Sequence, residues 1–190
     1  LIDMQGKMDP GMDNLLCSIA SDICRSLKEV NIELTAPTPD DFKQAPGYYF
    51  KDKFLPQVVQ KIGHRHLLLM FDEYEVLQSQ VEKGRIGEEI FGYLRSLMQH
   101  TREVDFIFTG VYKLKELADY WSIFFNIALY KKISFLDRDS AVRLIKEPVR
   151  GYIEYDDLAI EKLLNITAGH PYFLQLICFE LVRYRNEKRI

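Results

Sequence analysis

Two adjacent carboxylates, Asp72 and Glu73, close an apolar run that begins at Leu67. Acids placed side by side at the end of a strand can take different roles. One can hold a hard divalent cation, directly or through water, because such ions take oxygen ligands and keep several waters. The other can orient a water and accept its proton as that water attacks. A plainer reading competes: Asp72 caps the helix that follows, and Glu73 sits at that helix's positive end. Two further places invite chemistry. Thr109 ends a second apolar run just ahead of Gly110, and Gly169-His170-Pro171 is a compact turn signal far downstream. Both also have structural explanations, since a Thr before Gly can simply end a strand, and Gly and Pro two apart stop one helix and open the next. Taken alone, His170 reads as an exposed turn residue.

The elements that must position these residues follow from periodicity. The run 67–71 has no alternation, the pattern of a parallel strand buried on both faces by crossover helices. Ligands collect at the carboxyl ends of strands in open α/β sheets, which is where this strand delivers Asp72 and Glu73. Ahead of it the sequence predicts a strand end at 1–4 and a helix over 12–30 with Leu15, Leu16, Ile19, Ile23 and Leu27 inward. Then come a proline-rich loop at 34–49 with at most a short helix, and a helix over 54–62. After it, Gly84 and Gly87 precede a helix over 88–100 and a strand over 105–109. A short helix at 114–118, an aromatic segment at 120–125 with Trp121, Phe124 and Phe125, and a third strand at 131–135 complete the region. Strands separated by helices imply α/β architecture with a parallel sheet over 1–135. Helices at 138–146, 156–168 and 171–186 then form an all-helical subdomain over 136–190.

Composition narrows the classes. The 190 residues are 47% hydrophobic and 28% charged, which suits one α/β domain with a small appendage. A net charge of -3 offers no global attraction to nucleic acid or to an anionic membrane. No apolar stretch approaches the roughly 18 residues of a membrane span, and no signal sequence opens the chain. Cys17, Cys24 and Cys178 are odd in number and lack metal-site spacing, so they read as buried thiols in a reducing cytoplasm. Arg183, Arg185, Lys188 and Arg189 suit the negative end of the last helix. Because the first residue is Leu1, the chain reads as a piece of a longer polypeptide.

The segment His66-Leu-Leu-Leu-Met-Phe-Asp72-Glu73-Tyr-Glu75 resembles the Walker B element of a P-loop ATPase. Asp105-Phe-Ile-Phe-Thr109-Gly110 resembles a sensor 1 strand. Thr167-Ala-Gly169-His170-Pro171-Tyr-Phe-Leu-Gln175, paired with the stretch 136–148, resembles the Gly-x-Pro element of a helical lid. In this order the three are similar to AAA+ and STAND-type ATPases of prokaryotes. The resemblance implies ATP or ADP with Mg²⁺ as ligands. It assigns Asp72 to Mg²⁺ through water, Glu73 to the attacking water and Thr109 to the terminal phosphate, with Gly169, His170 and Pro171 against the adenine.

Departures from the family sharpen the expectation. No Gly-x-x-x-x-Gly-Lys-Ser/Thr loop occurs in the sequence, so the usual phosphate cradle is missing. Ile2-Asp3-Met4-Gln5 resembles the end of the family's second strand, which would place the P-loop unit outside these residues and leave the piece a poor ATPase or none. Lys131 and Lys132 stand where the family carries an arginine finger, and no sensor 2 arginine opens the last helix. These absences favour a switch in which nucleotide controls conformation over a ring motor. The partners implied are nucleotide and a protein partner or a second copy, with nucleic acid only through regions outside this chain. The alternative, of another class, is a non-catalytic interaction scaffold that retains the ATPase fold.

Overall fold

The computed structural model describes residues 1–7, 9–111 and 126–188 and divides into two compact units, Leu1–Leu129 and Tyr130–Ile190. The helix anticipated at 114–118 and the aromatic segment at 120–125 lie outside the described residues, as does Arg189.

In the first unit, β1 (Ile2–Asp3), β2 (Leu67–Asp72) and β3 (Val104–Thr109) form a parallel sheet in the order β1-β2-β3 among the described residues. The mixed α/β class is therefore present. Helix α1 (Met12–Glu29) buries Leu15, Leu16, Ile19, Ala20, Ile23, Cys24 and Leu27, a stripe at helical spacing that packs into the core under the sheet. It starts after Gly11, whose φ of 100° suits glycine, and whose N–H donates to the Arg85 carbonyl at 2.8 Å.

The proline-rich stretch holds two short helices, α2 (Pro39–Phe42) and α3 (Pro46–Tyr48). The Asp41 carboxylate accepts from the Thr38 N–H at 2.7 Å and the Thr38 hydroxyl at 2.8 Å, which holds its pKa below the usual carboxylate value. A π-helical turn, Tyr49–Phe54, then leads into α4 (Leu55–Ile62). Pro56 has no N–H to return to the carbonyl four residues back, and the Leu55 N–H reaches the Phe50 carbonyl instead. The wider turn carries Phe50 and Phe54 into the core, with the ring of Tyr49 edge-on to Phe42 at 4.9 Å. Nothing in the sequence pattern had given these aromatics a role.

Helices α5 (Glu75–Glu82) and α6 (Glu89–His100) connect β2 to β3. Helix α5 entered the sequence reading only as the helix that Asp72 would cap, with no bounds, because Glu75, Gln78, Ser79, Gln80 and Glu82 leave it little apolar periodicity. The two crossovers step the same way across the sheet, and right-handed crossovers then put their helices on one face. Leu69 and Phe71 are buried on that face, and Phe71 stacks on Phe108 at 5.1 Å. Leu68 and Ile107 on the other face remain 47% and 41% exposed. The expectation of a β2 strand covered on both sides is thus corrected: an unbroken apolar run was read as two-sided burial, and among the described residues one side is covered.

The second unit contains α7 (Arg138–Lys146), a 3₁₀ turn (Glu147–Val149), α8 (Asp157–Thr167) and α9 (Pro171–Lys188). Asp137 and Asp156 cap α7 and α8 by accepting from the backbone N–H of Ser140 at 2.8 Å and Ala159 at 2.6 Å. Ala141, Ile145, Ile160, Leu163 and Leu174 form its core. The strand expected at 131–135 is absent: that stretch has no ladder partner among the described residues, and Ile133 is 85% exposed. Local β-propensity could not supply a neighbouring strand. Instead, the next residue, Leu136, donates its N–H to the Gly169 carbonyl at 3.0 Å.

Candidate functional site

Strand register brings the first group of candidate residues to one edge. Asp3 pairs with Asp72 and Asp72 with Thr109, so three polar side chains share the carboxyl end of the parallel sheet. Asp3 closes its own turn, accepting from the Gln5 N–H at 2.9 Å. Asp72 and Thr109 bond directly: the Thr109 hydroxyl donates to Asp72 Oδ1 at 2.5 Å, and the same oxygen accepts from the Glu73 N–H at 3.1 Å. The Asp72 side chain caps no N–H of α5, which begins two residues beyond Glu73. The capping explanation of Asp72 is therefore not realised, and its carboxylate faces Thr109 at an exposed edge.

Glu73 has φ of 54°, in the left-handed region that a non-glycine residue adopts at a cost of about 1 kcal/mol or more. The conformation lets the chain leave β2 sharply before α5. Its Oε2 is shut from solvent with no hydrogen-bond partner among the described residues. Strain of this kind concentrates at functional turns. The Tyr74 N–H then donates to the Thr109 carbonyl at 3.2 Å, and the Val111 N–H donates to Glu75 Oε1 at 3.1 Å. The turn after β2 is thereby stitched to the end of β3.

Gly169, His170 and Pro171 lie together in the helical unit, between α8 and α9. Ala168 and Gly169 both have positive φ, 50° and 78°, and end α8, while Pro171 opens α9. A Cβ at Gly169 would stand 2.6 Å from the Leu136 carbonyl oxygen, so glycine is needed for space as well as for conformation. His170 is not the exposed turn residue expected. It is half-buried, its ring 5.1 Å from that of Phe135 and 4.7 Å from that of Phe173, with Nδ1 enclosed and unpartnered among the described residues.

A buried ion pair escaped the sequence pattern. Lys7, 8% exposed, donates to Ser18 Oγ at 2.7 Å and pairs with Asp22 at 2.5 Å, and Asp22 also pairs with Arg25. It ties the loop after β1 to α1. The only prior signal was that Ser18 and Asp22 stand four apart on one helix face. His66 and Asp105, paired at 2.9 Å, lie near the opposite, amino-terminal edge of the sheet. The cysteines are free, but only Cys24 is fully buried; Cys17 and Cys178 are half-buried, and desolvation raises the pKa of all three thiols.

Among the described residues, no group of three or more His, Cys, Asp or Glu is placed to hold a metal ion, and no helix is long and apolar enough to cross a membrane. No family model matches the chain, and neither does any curated protein or solved structure.

Proposed function

We propose that this chain is the nucleotide-responsive core of a P-loop ATPase of the AAA+ or STAND type, lacking its phosphate-binding loop, followed by that family's helical lid. The observation that supports it most is the Asp72–Thr109 hydrogen bond of 2.5 Å, made across two adjacent parallel strands at their carboxyl ends. An acidic strand end beside a polar one is the arrangement required for a cation-bound phosphate and a reader of that phosphate.

The donor set fits Mg²⁺ held through water. Asp72 is exposed, and its Oδ2 makes no hydrogen bond among the described residues, leaving an oxygen for a hydrated ion. A single carboxylate suits Mg²⁺, which keeps its waters and takes further oxygens from phosphates. Bound there, the ion would supply charge neutralisation at the phosphates. Glu73 would orient and deprotonate the attacking water. Thr109 would donate its hydroxyl to a phosphate oxygen once released from Asp72. In the helical unit, the half-buried His170 between Phe135 and Phe173 presents flat, apolar-flanked chemistry of the kind that meets a purine.

Calorimetric titration of the full-length gene product with Mg-ATP and Mg-ADP, beside the 190-residue chain, tests the proposal. Binding by the long form alone is the expected result. Binding by neither would leave the interaction-scaffold reading in its place. Measurable ATP turnover by the short chain, abolished in Glu73→Gln, would overturn the view that the phosphate cradle lies elsewhere.

A further inference from the structure

We propose that Glu75 is a positioning residue, whose carboxylate latches residues 110–111 after β3 and thereby fixes the backbone that aims the Thr109 hydroxyl at the edge it shares with Asp72. The inference rests on the reading of Asp72 and Thr109 as the reactive pair, and adds a residue to which that reading gives no part.

An acid in the first turn of a helix is ordinarily explained by the helix dipole, and such a side chain points freely into water. Glu75 does not. Its Oε1 accepts from the Val111 N–H at 3.1 Å, and its Oε2 is closed off from solvent without a partner among the described residues. Enclosing a carboxylate oxygen is costly, so the carboxylate is held in place by the contacts it makes with the loop.

The loop is shaped to receive it. A Cβ at Gly110 would lie 2.2 Å from Glu75 Oε2 and 2.6 Å from the Tyr74 ring. The carboxylate could swing aside, but the ring is stiff, so any larger residue at 110 would push the loop off the start of α5. With the Tyr74 N–H on the Thr109 carbonyl at 3.2 Å, Asp72, Tyr74 and Glu75 together hold Thr109 and Val111. Thr109 is β-branched, and the direction of its hydroxyl follows its backbone. That backbone is fixed on one side by the β2–β3 ladder and on the other by Glu75 through Val111. Releasing Val111 frees the peptide that aims the Thr109 hydroxyl.

The test compares Glu75→Ala with Glu75→Gln in the full-length protein. In Glu75→Gln the side-chain oxygen still accepts from Val111. Hydrogen exchange is read at the Val111 amide, and Mg-ATP turnover is read as kcat and KM separately. We expect Glu75→Ala to speed Val111 exchange roughly tenfold, the loss of one charge-assisted hydrogen bond, and to lower kcat about tenfold with KM little changed. Glu75→Gln should restore both. Gly110→Ala should reproduce the exchange change with Glu75 intact, which covers the case that Glu75→Ala fails to fold. Unchanged Val111 exchange in Glu75→Ala and Gly110→Ala overturns the latch, as does a Glu75→Gln protein that behaves like Glu75→Ala. If the wild-type protein binds no Mg-ATP, the nucleotide reading falls, whereas the exchange measurement still decides the latch.

Discussion

In the α/β unit one core runs from Ile2 and Met4 through α1, the π-helical turn and α6 to Val104, and it includes the aromatic side chains of Phe42, Phe50, Phe54, Phe71 and Phe91. Among the described residues, the helical unit has a core of five buried side chains, Ala141, Ile145, Ile160, Leu163 and Leu174. Its helices are defined instead by terminal chemistry: Asp137 and Asp156 as N-caps, a left-handed Ala168-Gly169 stop, and Arg138 of α7 paired through two hydrogen bonds with Glu161 of α8. The contrast shows two ways of holding a fold. A large core tolerates a strained turn such as the one at Glu73, whereas a small core depends on each cap and each tight approach being satisfied.

The largest effects should come from core truncation. Leu16→Ala removes a fully buried side chain of α1 and should cost about 3 to 5 kcal/mol, while Leu174→Ala, equally buried in the smaller core, should cost about 2 to 3 because fewer neighbours lose contacts. Denaturant titration of both variants measures the gap, and equal losses would remove the contrast. Next in size is Gly169→Ala. The added methyl meets the Leu136 carbonyl at 2.6 Å in a residue with φ of 78°, so about 2 to 3 kcal/mol should be lost. Gly84→Ala in the α/β unit, at φ of 66° with open space around it, should lose only about 1 kcal/mol. Thermal denaturation of the pair separates collision from conformational cost.

Glu73→Asn should move the other way. Asn adopts the left-handed region more readily than Glu, so stability should rise by about 0.5 to 1 kcal/mol as the proposed base is lost. A fall in stability would show that the Glu73 side chain contributes more than its backbone costs. Smallest is the response to acid. Hydrogen bonds from the Ser140 N–H and hydroxyl lower the pKa of Asp137, and the Arg138 guanidinium lowers that of Glu161. A carboxyl group with a folded pKa below its unfolded value stabilises the native state above that unfolded value. The contribution disappears as pH falls through the folded value. Helical-unit stability should therefore decline below the ordinary carboxylate range. Asp137→Asn and Glu161→Gln together should flatten the decline, as followed by amide exchange in α7 and α8. Asp41, held low by Thr38, gives the α/β unit one counterpart, so a small acid response is expected there too.

Where apolar residues recur at helical spacing, the sequence alone determined the element. It placed α1, α4, α6 and the three helices of the second unit within a few residues of their ends, since one buried stripe per helix leaves its period in the chain. Asp137 stands just ahead of the helix expected from 138, whereas Asp156, expected as the first residue of its helix, caps it instead. Strand ends were readable because β2 and β3 stop at polar residues, and this is how Asp72 and Thr109 were found before their register was known. Tertiary structure decided the rest. That Asp72 bonds Thr109 depends on which strands are neighbours, and that one face of the sheet is covered depends on crossover handedness; neither leaves a periodic trace. Residues 131–135 had a strand's composition but, among the described residues, no partner strand, and pairing is a property of two segments. Lys7 and Asp22, fifteen residues apart, and Glu75 and Val111, thirty-six apart, meet only because the chain returns to the same place. Local propensity reports what a segment can become, while long-range contacts choose which charged groups lie within hydrogen-bond reach.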